Sequence, residues 1–171
     1  MNGAYSATTM QSLVAKIRPT PGLVVGVGIA VALAVVTDGA NLAAVGAAGV
    51  LIGALVGSVS LHELSHAVAA RRAGMTVDFI RLSLLGGVTA YSGPDPGPRA
   101  LRRIALAGPK ASFAAAGVCL LILVAESATG WRSAVGSMAA WGLEINLVLG
   151  AVNLLPFGTL DGAALREARR R

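Results

Sequence analysis

Val56–Gly74, VGSVSLHELSHAVAARRAG, is the stretch that decides how this chain is read. Its first half is apolar enough for the interior of a membrane helix. It then sets His62, Glu63 and His66 within five residues, and these are the only two histidines in the chain. Residues four apart share one face of a helix. The two imidazoles can therefore aim at one metal ion, with Glu63 beside them to hold the proton of an attacking water. In a soluble helix, two hydrogen-bonded histidines would be the plain alternative. Inside an apolar span, ionisable side chains are costly and mark function. A catalytic zinc takes three protein ligands and keeps one open position, so a third ligand is expected elsewhere.

The surroundings support a membrane setting. Of 171 residues, 55% are hydrophobic and 13% charged, with a mean hydropathy of +0.73. Soluble domains carry roughly 25% charged residues. The 22 glycines suit helices that approach closely. Apolar segments at about 22–37, 42–70, 104–125 and 134–155 predict four spans. The first is short for a crossing of about 20 residues, and its flanks would extend it. It follows Lys16 and Arg18 and lacks a small-residue cleavage site, so it reads as a retained anchor. Basic residues cluster before the first span, between the second and third (Arg71, Arg72, Arg81, Arg99, Arg102, Arg103), and after the fourth (Arg166, Arg169, Arg170, Arg171). The loop TDGAN has none, and the loop after the third span has only Arg132. This alternation predicts a multi-pass protein of the plasma membrane with both termini cytoplasmic. It also accounts for the net charge of +6 without nucleic acid. Cys119 has no partner for an intrachain disulfide.

DFIRLSLLGGVTAY, residues 78–91, alternates Ile80, Leu82 and Leu84 with Arg81 and Ser83, which is strand periodicity. Gly86 and Gly87 would turn the chain and VTAY would return it. SGPDPGP then reads as a rigid loop, and GAALREARRR as a short basic helix on the membrane surface. The expected fold class is an all-α membrane protein. It has about four transmembrane helices, a small β-hairpin or re-entrant segment between the second and third, and a single domain over 1–171.

Few residues can supply the third ligand. Asp38 and Glu126 fall on the opposite side, Asp78 and Asp95 in the connecting segment, and Glu167 in the basic tail. Glu144 lies within the fourth span, and Asp161 follows that span directly, on the histidine side. Topology ranks Asp161 first and Glu144 second. Glu144 would otherwise line a water path or pair with Lys110. Asn146 is expected to hydrogen-bond between helices, with similar roles for Ser58, Ser60 and Ser65. Trp131 is placed as an interface anchor.

HELSH, LLGGVTAY, LAGPKAS and NLLPFGTLDG, in this order from Val56 to Gly162, resemble the site-2 proteases, zinc metalloproteases that cut within the membrane. The most specific element is the pattern of Asn153, Pro156, Asp161 and Gly162. The resemblance implies His62, His66 and Asp161 as ligands of one zinc per chain and Glu63 as catalytic acid/base. It implies that Asn153 helps place the substrate or the transition state. It also implies a transmembrane protein substrate within the lipid bilayer, in bacteria commonly a membrane-held regulator such as an anti-sigma factor. The preference for arginine over lysine and the Ala/Gly richness point to a bacterial source. Two departures stand out: Ala163 and Ala164 where the family often has Gly-Arg, and Lys110 where an apolar residue is common. Neither removes a ligand. No PDZ domain or CBS pair is visible, which fits a minimal member or part of a longer one. The rival readings are a proteolytically inactive membrane scaffold, disfavoured by the intact Glu63, and a metal-binding transporter, disfavoured by the lack of paired halves.

Overall fold

The structure is a computed structural model that describes residues 7–37, 42–83, 86–130 and 133–171. Residues 1–6, Asp38 to Asn41, Leu84, Leu85, Trp131 and Arg132 lie outside the described residues. The chain runs α1 (Ala7–Val14), β1 (Ile17–Pro19), α2 (Pro21–Thr37), α3 (Leu42–Arg72), β2 (Thr76–Ser83), β3 (Gly86–Ser92), α4 (Gly97–Thr129), α5 (Ala134–Asn153) and α6 (Asp161–Arg170).

Three helices, α3, α4 and α5, are long and apolar enough to cross a membrane. At 17 residues, α2 is shorter. A helix rises about 1.5 Å per residue, so α2 reaches about 25 Å against a hydrocarbon core of about 30 Å. The expected second span is extended by two residues to Arg72, and the third begins at Gly97 rather than near 104. The earlier start follows from Pro98. A proline in the first turn of a helix loses no hydrogen bond there and has the right φ, so the proline-rich loop feeds straight into α4.

Small residues let α5 lie close to its neighbours. Gly136, Ala139, Gly142, Asn146 and Gly150 form its buried stripe. A Cβ on Gly150 would stand 3.0 Å from the Phe113 ring of α4, and one on Gly142 would stand 2.9 Å from Cys119 Sγ. Within this stripe Asn146 donates from Nδ2 to Ser58 Oγ of α3 at 2.7 Å, the expected interhelical bond. Ser65 instead donates to Leu61 O of its own helix at 2.8 Å. At the far end, Ser133 caps α5 through Gly136 N, and its own N–H donates to the Glu126 carboxylate of α4.

The expected hairpin is there, and the sheet has a third strand. β2 and β3 pair antiparallel, and β1 adds to β2 in parallel, giving the order β1-β2-β3. Three residues after Lys16 were not readable as a strand because period-2 patterning needs a longer run. Ile80 N donates to Lys16 O, and Thr20 N to Leu82 O. A bulge at Asp78, between Val77 and Phe79, shifts the register by one. The shift is why Val77 and Ile80, three apart, face the same side, together with Leu82. These three pack on Leu13 of α1 and on Val59, Ala67 and Ala70 of α3, and that is where the core sits. One face of the sheet thus clamps the C-terminal half of α3, and β3 forms the sheet edge on the histidine side.

Candidate metal centre

His62, Glu63 and His66 are all buried, with relative exposures of 2%, 5% and 6%. The helical spacing brings both imidazoles to one side of α3. Their ring centroids are 4.9 Å apart. Asp161, the first residue of α6, meets them from the other end of the chain. Its Oδ2 lies 3.2 Å from His62 Nε2 and 3.2 Å from His66 Nε2. Among the described residues these three form the one group of His, Cys, Asp or Glu able to hold a metal ion, with ligand atoms within 4.8 Å of one another. Atoms bound to zinc at about 2.0–2.1 Å with tetrahedral angles stand about 3.3 Å apart. The two measured edges fit that spacing.

The imidazoles are also oriented from behind. His66 Nδ1 bonds to the Ile104 carbonyl at 2.8 Å, so that nitrogen carries the proton and Nε2 keeps its lone pair for the site. His62 Nδ1 bonds to the fully buried Ser112 Oγ at 2.9 Å. Both partners belong to α4. Between them sits Gly108, and a Cβ there would collide with Nε2 of both histidines. The space over Gly108 is a cradle left open for the metal-facing side of the rings.

Asp161 is placed by its own neighbours. Gly162 is buried where a Cβ would strike the Leu154 and Leu155 carbonyls, so only glycine lets α6 start this close to the end of α5. A carboxylate in the first turn of a helix is also favoured by the helix dipole. Burial opposes its ionisation. When the imidazoles are protonated, the hydrogen bonds and charge of His62 and His66 outweigh that and hold the carboxyl below its ordinary value.

Glu63 stands apart from this triangle. Its Oε2 accepts from Thr89 Oγ1 of β3 at 2.7 Å. Its other oxygen lies over Gly87, where a Cβ would come within 2.7 Å of Oε1. The triad and Glu63 line a cavity of ≈270 Å³, together with Tyr91, Asn153 and Thr159. Asn153 donates from Nδ2 to Leu149 O of its own helix at 2.9 Å and also lines the cavity. Burial, then the Asp161 and Glu167 charges, raise the Tyr91 phenol above its ordinary value, so it stays a neutral donor at the cavity wall.

Every residue expected at the site is brought to it. Glu144, the second-ranked ligand, is not in the metal cavity. Lys110 faces a separate cavity with Leu64 and Arg103, so the two do not pair. Ser112, Thr89 and Gly108 were not assigned roles from sequence, and Gly87 was read only as part of a turn, although each lies inside LAGPKAS or LLGGVTAY.

Comparison with known proteins gives the family and the fold. The family model of peptidase family M50 matches residues 50–139. Rip3 of Mycobacterium tuberculosis, named as a zinc metalloprotease, is 43% identical over 114 residues, covering 67% of this chain and 29% of Rip3. The zinc metalloprotease MJ0392 of Methanocaldococcus jannaschii is 37% identical over 113 residues, covering 65% of this chain and 31% of the relative. The chain thus spans less than a third of the length of these relatives. The solved site-2 protease from M. jannaschii superposes with a TM-score of 0.67 at 24% identity, covering 90% of this chain and 66% of that one. It shares the fold.

Proposed function

Because this chain belongs to peptidase family M50, the site-2 protease family, we propose that it is an intramembrane zinc endopeptidase. It would hydrolyse a peptide bond within or beside the membrane segment of another protein. The observation that carries this reading is the convergence of His62, His66 and Asp161 on one point, with Glu63 buried next to them. These three residues would hold one zinc per chain, and relatives named as zinc metalloproteases support that metal. When bound, zinc supplies the Lewis acidity that makes hydroxide available near pH 7.

The chain's own residues do the rest. Glu63, steadied by Thr89, accepts the proton of the attacking water and passes it to the leaving amine. Asn153 spends one N–H on Leu149 and keeps its second N–H for the carbonyl oxygen as charge develops there. A substrate helix hydrogen-bonds its own carbonyls and must unwind before attack. The edge strand β3 borders the cavity with Gly87, Val88 and Thr89 and offers an extended peptide a strand to pair with.

In this reading α2 is the fourth crossing, completed by its flanks, and 1–171 forms one protease domain. The basic segments keep both termini on the cytoplasmic side of a bacterial plasma membrane. The substrate is a membrane-held regulator such as an anti-sigma factor, released by regulated intramembrane proteolysis.

The test is zinc content and cleavage of a single-span reporter, for the detergent-purified chain and for His62→Ala, Asp161→Ala and Glu63→Gln. About one zinc per chain is expected in the parent and in Glu63→Gln, with sharp loss in the other two and cleavage by the parent alone. Zinc retained in Asp161→Ala would remove that residue from the ligand set. Zinc absent from every sample would overturn the reading in favour of a scaffold.

A further inference from the structure

Three carboxylates sit on the membrane-length helices α3, α4 and α5. Glu63 is held by Thr89, and Glu126 by Ser133. Among the described residues none hydrogen-bonds or ion-pairs with Glu144. It lies near the middle of α5 and is exposed. A charged or polar side chain left open to lipid there is costly, and such residues mark substrate paths.

Glu144 opens into a defined place. It lines an apolar groove of ≈620 Å³ between α3 and α5, walled by Leu51, Leu55, Trp141, Ile145 and Val148. The groove runs into the metal cavity. Gly87, Val88, Asn153, Thr159 and Leu160 line both. An extended or partly unwound peptide lying across the metal cavity would continue along this groove and cover Glu144.

We propose that Glu144 is a specificity-determining residue. It receives a cationic or hydrogen-bond-donating side chain, such as Lys, Arg, Asn or Gln, from the membrane segment of the substrate. The proposal rests on the proteolytic reading above. The register follows from geometry. Glu144 and Asn153 are nine residues apart on α5, about 13.5 Å at helical rise. An extended peptide covers that distance in about four residues. The donor therefore lies about four residues from the scissile bond, on the side pointing away from the C-terminal end of α5. A polar residue inside a membrane helix also weakens that helix, so the recognised feature is one that helps the segment unwind.

The test uses the full chain in phosphatidylcholine nanodiscs. The probes are three synthetic Leu/Ala transmembrane peptides that differ at one position: Lys, Leu or Glu. The Lys peptide is expected to bind at least tenfold tighter than the Leu peptide. Glu144→Gln, of the same shape, should erase that preference with zinc content unchanged. Glu144→Lys should transfer it to the Glu peptide. On the parent chain, mass spectrometry should place the cut about four residues from the Lys and move it as the Lys is moved. Equal binding of the Lys and Leu peptides, or a preference that survives Glu144→Gln, would overturn the proposal. So would a uniform fall in cleavage with binding unchanged, which would make Glu144 a water carrier. Glu144-dependent binding with no cleavage would keep the subsite and overturn the protease reading. Cleavage indifferent to Glu144 would do the reverse.

Discussion

The two halves of α4 do different work: the first carries Arg99, Arg102, Arg103 and Lys110 among its apolar residues, and the second has Glu126 as its one charged residue. Up to Ala116 the helix has six buried residues: Ile104, Ala105, Gly108, Pro109, Ser112 and Ala116. From Gly117 to Thr129 none is buried, and Leu120, Leu121 and Val124 are 50%, 69% and 57% exposed. The first half supplies a carbonyl, a hydroxyl and a bare glycine surface to the two histidines. The second half presents side chains outward, where a bilayer would solvate them. Hydropathy counts transfer into lipid and carries no information about fit. Fit shows instead in residue size and polarity, in the Gly-Pro-x-x-Ser run at Gly108, Pro109 and Ser112.

The strongest test of this contrast is Gly108→Val. Its side chain would occupy the space now taken by Nε2 of His62 and His66. Neither imidazole can move without losing its bond to Ser112 or Ile104. Zinc content and cleavage should both fall below detection, while the purified protein keeps its helical circular dichroism. Normal zinc content in this variant would show that the first half of α4 is as replaceable as the second.

The opposite wall of the cavity gives a finer instrument. Gly87→Ala on β3 would set a methyl 2.7 Å from Cδ and Oε1 of Glu63 and displace the carboxylate, leaving His62, His66 and Asp161 untouched. General acid–base catalysis contributes about 10²–10⁴-fold. Cleavage should therefore fall by about 100-fold or more with zinc content unchanged, whereas parallel loss of both would mean that the hairpin supports the ligands themselves.

Much of this architecture could be read from the residues. Four apolar runs, the alternating Ile80 to Leu84 segment and the H-E-x-x-H spacing carry local signals with defined periods. Asp161 was reachable because so few carboxylates exist and it follows the fourth span directly on the histidine side, ahead of Glu167 in the basic tail. The supporting residues were not legible. Thr89 bonds Glu63 across 26 positions and Ser112 bonds His62 across 50. A threonine in a strand or a serine in a helix has no periodic signature, and its partner is set by packing. The bulge at Asp78 was hidden for a related reason. Alternation predicts faces only while the register is unbroken, and one extra residue turns Val77 toward the same side as Ile80.

Removal of the hydroxyl behind His62 should have an intermediate effect. Ser112→Ala leaves Nδ1 buried without its 2.9 Å partner and frees the ring to rotate. Loss of such a second hydrogen bond typically costs about 10–100-fold in metal affinity. A competition titration with a zinc chelator should show a drop in that range, and full affinity would mean that Gly108 and packing alone orient the ring.

The smallest effect belongs to the outer half of the same helix. Leu121 is 69% exposed and lies beyond the last buried residue of α4. In a bilayer its neighbours are acyl chains, as apolar as leucine itself, so shortening it removes contacts that lipid replaces. Leu121→Ala should change unfolding free energy by no more than about 0.5 kcal/mol, with zinc affinity and cleavage at parental levels. Ile104→Ala, at a site 2% exposed on the same helix, empties a packed position, where loss of an isoleucine typically costs about 2–5 kcal/mol. Thermal or chemical denaturation of the two variants in the same lipid gives the contrast directly. If Leu121→Ala cost as much as Ile104→Ala, the outer half of α4 would be packed against protein in the membrane, and its apolar surface would be an interface rather than a lipid-facing side.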